Sequence, residues 1–131
     1  NQLVIAGGGG GIPLLQQGTR LKGASAIIEK DLTAARMADM VDASLLLFLT
    51  GTEKVAINYQ KPDETYLDEM TVDEARGYME EGQFEAGSIL PKIEAAVESV
   101  SACPGRRAVI TDLSRARDGI AGKTGTRIGA G

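Results

Sequence analysis

Two lysines and one aspartate stand where their chemistry has a use. Lys30 and Asp31 follow the apolar residues Ala26-Ile27-Ile28, at the predicted start of a helix. Lys92 follows Gly87-Ser88-Ile89-Leu90-Pro91 and falls in the first turn of another predicted helix. The N-terminus of a helix carries partial positive charge, so a cation gains nothing there by itself. A lysine kept at that place calls for a carboxylate or an anionic ligand, and a compact ammonium beside backbone amides suits a phosphate. Plainer readings stand beside this one: Asp31 as an N-cap, Lys30 as a solvated surface lysine, Lys92 paired with Glu94 or Glu85.

Gly7 to Gly11 follow the apolar run Leu3-Val4-Ile5-Ala6. Their N–H groups can line an anion site with no Cβ in the way, or simply make a flexible turn. No Gly-Lys-Ser/Thr follows, and the acidic partner of a dinucleotide-binding turn is missing. Gly51 to Lys61 lie just past the carboxyl end of the apolar run Leu45 to Thr50, the edge where open α/β sheets bind ligands. Tyr59 there is placed to stack on a base or to pack half-buried. Cys103 reads as incidental.

Composition narrows the chemistry. The chain has 131 residues, enough for one domain spanning 1–131, with a single cysteine and no histidine. Ser-His and Cys-His pairs, His-ligated zinc and an internal disulfide are excluded. Catalysis would rest on Lys, Asp, Glu, Arg, hydroxyls, backbone amides or a bound hard cation. A net charge of −4 argues against a general nucleic-acid binder, while a local group of lysines still suits a small phosphate. No apolar run approaches the roughly 20 residues of a membrane span, and the start is not a signal peptide, which predicts a cytosolic protein. The start at Asn1, without Met, reads as a fragment or as a trimmed protein.

The elements that must position these residues alternate as in an α/β domain with a mostly parallel sheet. Strands are expected at Leu3–Ala6, Leu45–Thr50, Val55–Asn58 and Ala108–Thr111, with Thr126–Ile128 as a final edge strand. Helices are expected over Asp31–Val41, from the Thr71-Val72-Asp73-Glu74 capping box to about Glu81, from Pro91 to just before Pro104-Gly105, and over Leu113–Ile120. Gln60–Leu67 reads as a loop and Gly82–Gly87 as a turn.

Taken in order, several segments resemble carbamate kinase. They are Val4-Ile5-Ala6 with Gly7 to Gly11 and Pro13, Lys22-Gly23, Ile28-Glu29-Lys30-Asp31, Leu49-Thr50-Gly51, Ile57-Asn58-Tyr59-Gln60-Lys61-Pro62, Gly82-Gln83-Phe84, Gly87 to Ala96, and Gly122 to Thr126. Other amino acid kinases share the glycine turn, the Lys-Asp pair and the late lysine, whereas Gly-Gln-Phe and Asn-Tyr-x-Lys-Pro point to carbamate kinase. The resemblance implies a three-layer α/β/α sandwich on a mostly parallel central sheet, adenine nucleotide (ATP or ADP) with Mg2+, carbamate or carbamoyl phosphate, and a homodimer. It implies that Lys30 and Lys92 contact the phosphates and the migrating phosphoryl group and that Asp31 orients them. Gly51, Tyr59, Gly87, Ser88 and Leu90 would shape the nucleotide pocket, and Gly8, Gly9 and Gly10 would border the carbamate side. No residue is assigned to a metal. The chain departs from the pattern at Gly7 (often Cys), Gln60 (usually Gly), Glu85-Ala86 (usually Ala-Pro) and Asp112 (usually Ser). Such kinases are more than twice this long, and their N-terminal half brings a further glycine loop, an Asn and a lysine. The chain is therefore expected to be the C-terminal, nucleotide-binding half, to need that N-terminal half or a companion chain, and to be inactive alone. A stand-alone nucleotide-binding or regulatory module, or another amino acid kinase, is the alternative.

Overall fold

A computed structural model describes residues 2–103 and 105–131. The elements in chain order are β1 (Leu14–Gln17), β2 (Arg20–Gly23), α1 (Lys30–Met40), β3 (Leu45–Thr50), β4 (Ala56–Ile57), β5 (Thr65–Tyr66), β6 (Glu69–Thr71), α2 (Val72–Glu80), α3 (Leu90–Ala102), β7 (Arg107–Asp112), α4 (Ala116–Ile120) and β8 (Thr126–Gly129). A 3-10 turn, Leu113–Arg115, precedes α4.

The apolar runs in β3 and β7 pair in parallel, from Leu45 opposite Arg107 to Thr50 opposite Asp112. β8 joins β7 antiparallel and β6 joins β8 in parallel, giving the order β3-β7-β8-β6. The sheet is thus mostly parallel, as expected. On one face Leu46, Phe48, Ala108, Ile110 and Ile128 form a core with Ile93, Ala96 and Val100 of α3, Ala35 and Ala38 of α1, and Ala75 of α2. α4 covers part of the other face, where a Cβ on Gly119 would meet the side chains of Thr111 and Leu47. Helices on both faces make three layers, the second of them thin.

Four expectations change. Leu3–Ala6 is no strand, and Leu3, Val4 and Ile5 are exposed. An unbroken apolar run becomes a parallel strand only where neighbours pair with it, and none among the described residues does. β8 is interior, not an edge: Thr126 is buried, its Oγ1 accepts from Val55 N (2.8 Å) and donates to Leu67 O (2.6 Å). The predicted loop Gln60–Leu67 holds β5, which turns back on β4. The predicted helix Leu113–Ile120 is split, because the Asp112 carboxylate accepts from Ser114 N (2.8 Å) and Oγ (2.5 Å), and a 3-10 turn follows. The hairpin β1–β2 and strand β6 carry too little apolar periodicity to be read in advance. The Pro104 end of α3 lies outside the described residues; α3 itself ends at Ala102.

The capping box of α2 forms as expected. Thr71 Oγ1 accepts from Glu74 N (3.2 Å), and Glu74 Oε2 accepts from Thr71 N (2.8 Å) and Oγ1 (2.9 Å). Those bonds from Thr71 hold the Glu74 carboxyl below its ordinary value. A depressed carboxylate stabilises the fold above the unfolded pKa, and that contribution is lost as pH falls through the folded one. Thr71→Ala should lower stability by about 1 kcal/mol in denaturant melts. Glu74→Gln should melt lower than the parent at neutral pH, and the gap should close as pH falls through and below the carboxylate range.

Candidate functional site

The two helices that carry the predicted lysines bring them to one carboxylate. Glu29 is the N-cap of α1, its Oε1 accepting from Asp31 N at 3.4 Å. Asp31 is therefore released from capping, contrary to the plainer reading. It is 6% exposed, and its Oδ2 lies 3.1 Å from Lys92 Nζ and 3.5 Å from Lys30 Nζ. Lys92, in the first turn of α3, is buried with it, so its partner is neither Glu94 nor Glu85 but a residue 61 positions away. Lys30 reaches solvent and also donates to Glu29 Oε1 at 2.9 Å. The hydrogen bond to Glu29 and then the Asp31 charge push the Lys30 ammonium above its ordinary pKa, and Lys30 in turn pulls the Glu29 carboxyl down. Glu29 is the member of this group that the sequence reading missed. Its clue was local: an oxygen-bearing side chain two residues before Asp31.

α3 begins with no side-chain cap, no acid in its first turn, and Pro91 at its start. Leu90 N donates to Glu85 O (3.0 Å) and Lys92 N to Ile89 O (3.0 Å), so the positive end of this helix is expressed through the Lys92 ammonium more than through free amides.

Beyond the carboxyl end of β3 opens a cavity of about 300 Å3 lined by Gly51, Tyr59, Tyr66, Phe84, Ser88 and Ile89, among others. That is the lower end of the volume range for small-molecule sites. Its floor is firm, since Phe84 is buried and meets Tyr78 edge to face at 6.3 Å. Ser88 and Ile89 belong both to the wall and to the turn leading to Lys92. Of the pocket residues expected from the sequence, Gly51, Tyr59 and Ser88 line the cavity. Gly87 and Leu90 do not: Gly87 lies in the exposed turn, and Leu90 packs against the core. Tyr66 and Gln83 line it unforeseen. Gln60, where the resemblance expects glycine, has φ 59, a left-handed backbone that glycine adopts freely.

Gly8 and Gly9 are exposed with open space where a Cβ would stand. Gly10 differs: its φ is 139, and a Cβ there would lie 2.1 Å from Ile28 O. The glycine turn is thus held against the chain two residues before Lys30. Among the described residues no group of three or more His, Cys, Asp or Glu gathers to hold a metal ion.

The model of the amino acid kinase family matches residues 1–112. The chain belongs to the amino acid kinase family. Among family members it is similar to a carbamate kinase-like protein of Escherichia coli (strain K12), 52% identical over 127 residues, which are 97% of this chain and 41% of that protein. It is 44% identical over 126 residues to the carbamate kinase of Clostridium perfringens, covering 96% of this chain and 40% of the other. The solved carbamate kinase of Giardia lamblia bound to AMP-PNP superposes with a TM-score of 0.86 at 41% identity, over 92% of this chain and 42% of that one. The chain thus spans about two fifths of the length of these amino acid kinase relatives.

Proposed function

We propose that the complete gene product is a carbamate kinase, moving a phosphoryl group reversibly between ATP and carbamate, and that this chain is its C-terminal, nucleotide-binding half. The observation that carries the reading is Asp31. One buried carboxylate gathers two ammonium groups from different helices, next to the turn that walls a pocket of ligand size. The similarity to a kinase solved with AMP-PNP supports adenine nucleotide as the ligand.

Phosphoryl transfer asks for position and charge neutralisation rather than covalent help. Lys30 and Lys92 supply two positive charges toward the phosphates and the migrating group. Asp31 holds them in place and stays out of the bond changes. Gly51, Tyr59 and Ser88 border the nucleotide, and Gly8, Gly9 and Gly10 the carbamate side. Mg2+ needs only one or two carboxylates besides phosphate oxygens. Asp31 is already engaged by the lysines, so the metal would arrive with the nucleotide. The remaining three fifths of the relatives' length would bring the donors on the far side of the migrating group. The exposed Leu3, Val4, Ile5 and Ile12 fit such a covering partner, within a cytoplasmic homodimer.

The test is a coupled assay for ATP formation from ADP and carbamoyl phosphate with magnesium, on the chain alone and on the complete gene product. The complete protein should turn over and the chain alone should not. Loss of positioning removes on the order of 7–11 kcal/mol of barrier lowering. Turnover by the chain alone would refute the half-site reading. A complete protein that binds nucleotide yet turns over neither carbamate nor another small carboxylate would favour the binding-module alternative.

A further inference from the structure

Charged side chains of Glu29, Lys30, Asp31 and Lys92 meet where α1 and α3 begin. Lys92 and Asp31 are held fast: their side chains are 11% and 9% exposed, and their bond at 3.1 Å joins two packed helices. Lys30 and Glu29 are not, with side chains 59% and 40% exposed. Lys30 sits on a flexible stem, its Nζ 2.9 Å from Glu29 Oε1 and 3.5 Å from Asp31 Oδ2. Of its two carboxylate contacts, the one to Glu29 is the shorter. The Glu29 backbone is pinned, because its carbonyl accepts from Thr33 N and Oγ1, both at 3.0 Å. Of this exposed pair, Lys30 is therefore the member free to swing.

Capping does not account for a glutamate here. Ser, Thr, Asp and Asn are the residues preferred at an N-cap, and the bond from Asp31 N to Glu29 Oε1 is long at 3.4 Å. The same oxygen makes its better bond to Lys30 Nζ. The charges point the same way. Asp31 with Lys30 and Lys92 leaves one positive charge over, which suits an anion, and the Glu29 carboxylate cancels it.

We propose that Glu29 is a latch on Lys30, a positioning residue that holds the ammonium in the free protein, yields it to the phosphates of the bound ligand and takes it back as the ligand leaves. The inference rests on the reading of Lys30 as a phosphate-contacting residue and adds a competitor to it. Phosphate oxygens and the Glu29 carboxylate compete for one ammonium, so the latch lowers affinity. That sign separates it from a structural role, whose loss would weaken binding. Glu29 itself touches no ligand atom.

The experiment titrates the complete gene product with AMP-PNP and, separately, with inorganic tripolyphosphate, both with magnesium. Glu29→Gln keeps an oxygen for the cap, and Glu29→Asn supplies a preferred capping residue; both remove the charge. Each should bind both ligands about 2- to 5-fold more tightly, the worth of an exposed ion pair, and the gain should shrink as salt is raised. Lys30→Met should weaken both ligands. Adding Glu29→Gln to Lys30→Met should change affinity less than Glu29→Gln does in the parent, because the latch then has nothing to hold. Thermal melts check that each variant is folded. Unchanged or weaker binding in both folded Glu29 variants would overturn the latch and leave the phosphate reading standing. So would equal tightening with and without Lys30, which would make Glu29 act on the ligand directly. If the parent binds neither ligand, or if Lys30→Met binds both as the parent does, the phosphate contact of Lys30 falls and the latch with it.

Discussion

Lys92→Ala in the complete gene product should lower turnover by orders of magnitude, and it should also destabilise the fold. The two effects have different origins. On the proposed phosphoryl-transfer reading, the first follows from removing a positive charge beside the transferred group, where electrostatic stabilisation is the largest single contribution to such chemistry. The second follows from Asp31, which keeps only the more exposed Lys30 as a cationic partner once Lys92 is gone. Breaking a buried pair from one side costs about 3–5 kcal/mol, whereas replacing both members by neutral groups of similar volume is often close to neutral. The double variant Asp31→Asn/Lys92→Met should therefore melt near the parent yet remain inactive. Lys92→Arg should be poor too, because a planar fork does not reproduce a compact point charge. Turnover close to the parent's in a folded Lys92→Ala protein would remove Lys92 from the site. A double variant that regains turnover together with stability would reduce the pair to packing.

The largest purely structural effect is expected at Arg106. Its side chain is 1% exposed and binds several groups at once. Nε donates to Ala43 O (2.7 Å), Nη2 to Ala38 O (3.2 Å), and Nη1 to Ser99 Oγ (3.0 Å) and O (3.2 Å), while Nη1 also pairs closely with Asp39. One guanidinium thus satisfies carbonyls at the C-terminal end of α1 and just before β3, and ties both to α3. Helix C-termini leave carbonyls without intrahelical donors, so a buried end needs such a partner. Arg106→Ala strips several acceptors and one carboxylate together and should cost about 3–5 kcal/mol. For a domain of this size that is a fall in Tm on the order of 10–20 °C. Arg106→Lys should recover only part, since three donors on a point charge cannot span the same acceptors. Nucleotide affinity, measured below the lowered Tm, should be unchanged. A stable Arg106→Ala protein would show that these carbonyls find water instead.

How much of the fold was open to reading along the chain depended on distance. β3 and β7 were legible because burial on both faces demands unbroken apolar runs, and Leu45–Thr50 and Ala108–Thr111 are such runs. α2 was legible because a capping box is made between residues three apart, and α3 because Pro91 acts on its own backbone. The same local logic failed at Leu3–Ala6, where the apolar run is present and a pairing neighbour among the described residues is not. It failed at β8, where a short strand with two polar residues is interior because Thr126 finds an acceptor and a donor on other segments.

The candidate site divides along the same line. That Lys30, Asp31 and Lys92 are candidates for chemistry followed from their residue types and from the helix starts on which they sit, features written into stretches of a few neighbours. That one carboxylate holds both lysines was not written there, nor that Glu29 frees it to do so. The Asp31–Lys92 bond closes 61 residues, and the Arg106–Asp39 contact closes 67. Such pairs form only when α1 has packed beside α3 and the residue that leads into β7. Which charges meet is then set by the register of α1 against α3, and that register is a property of the assembled core rather than of any stretch of chain.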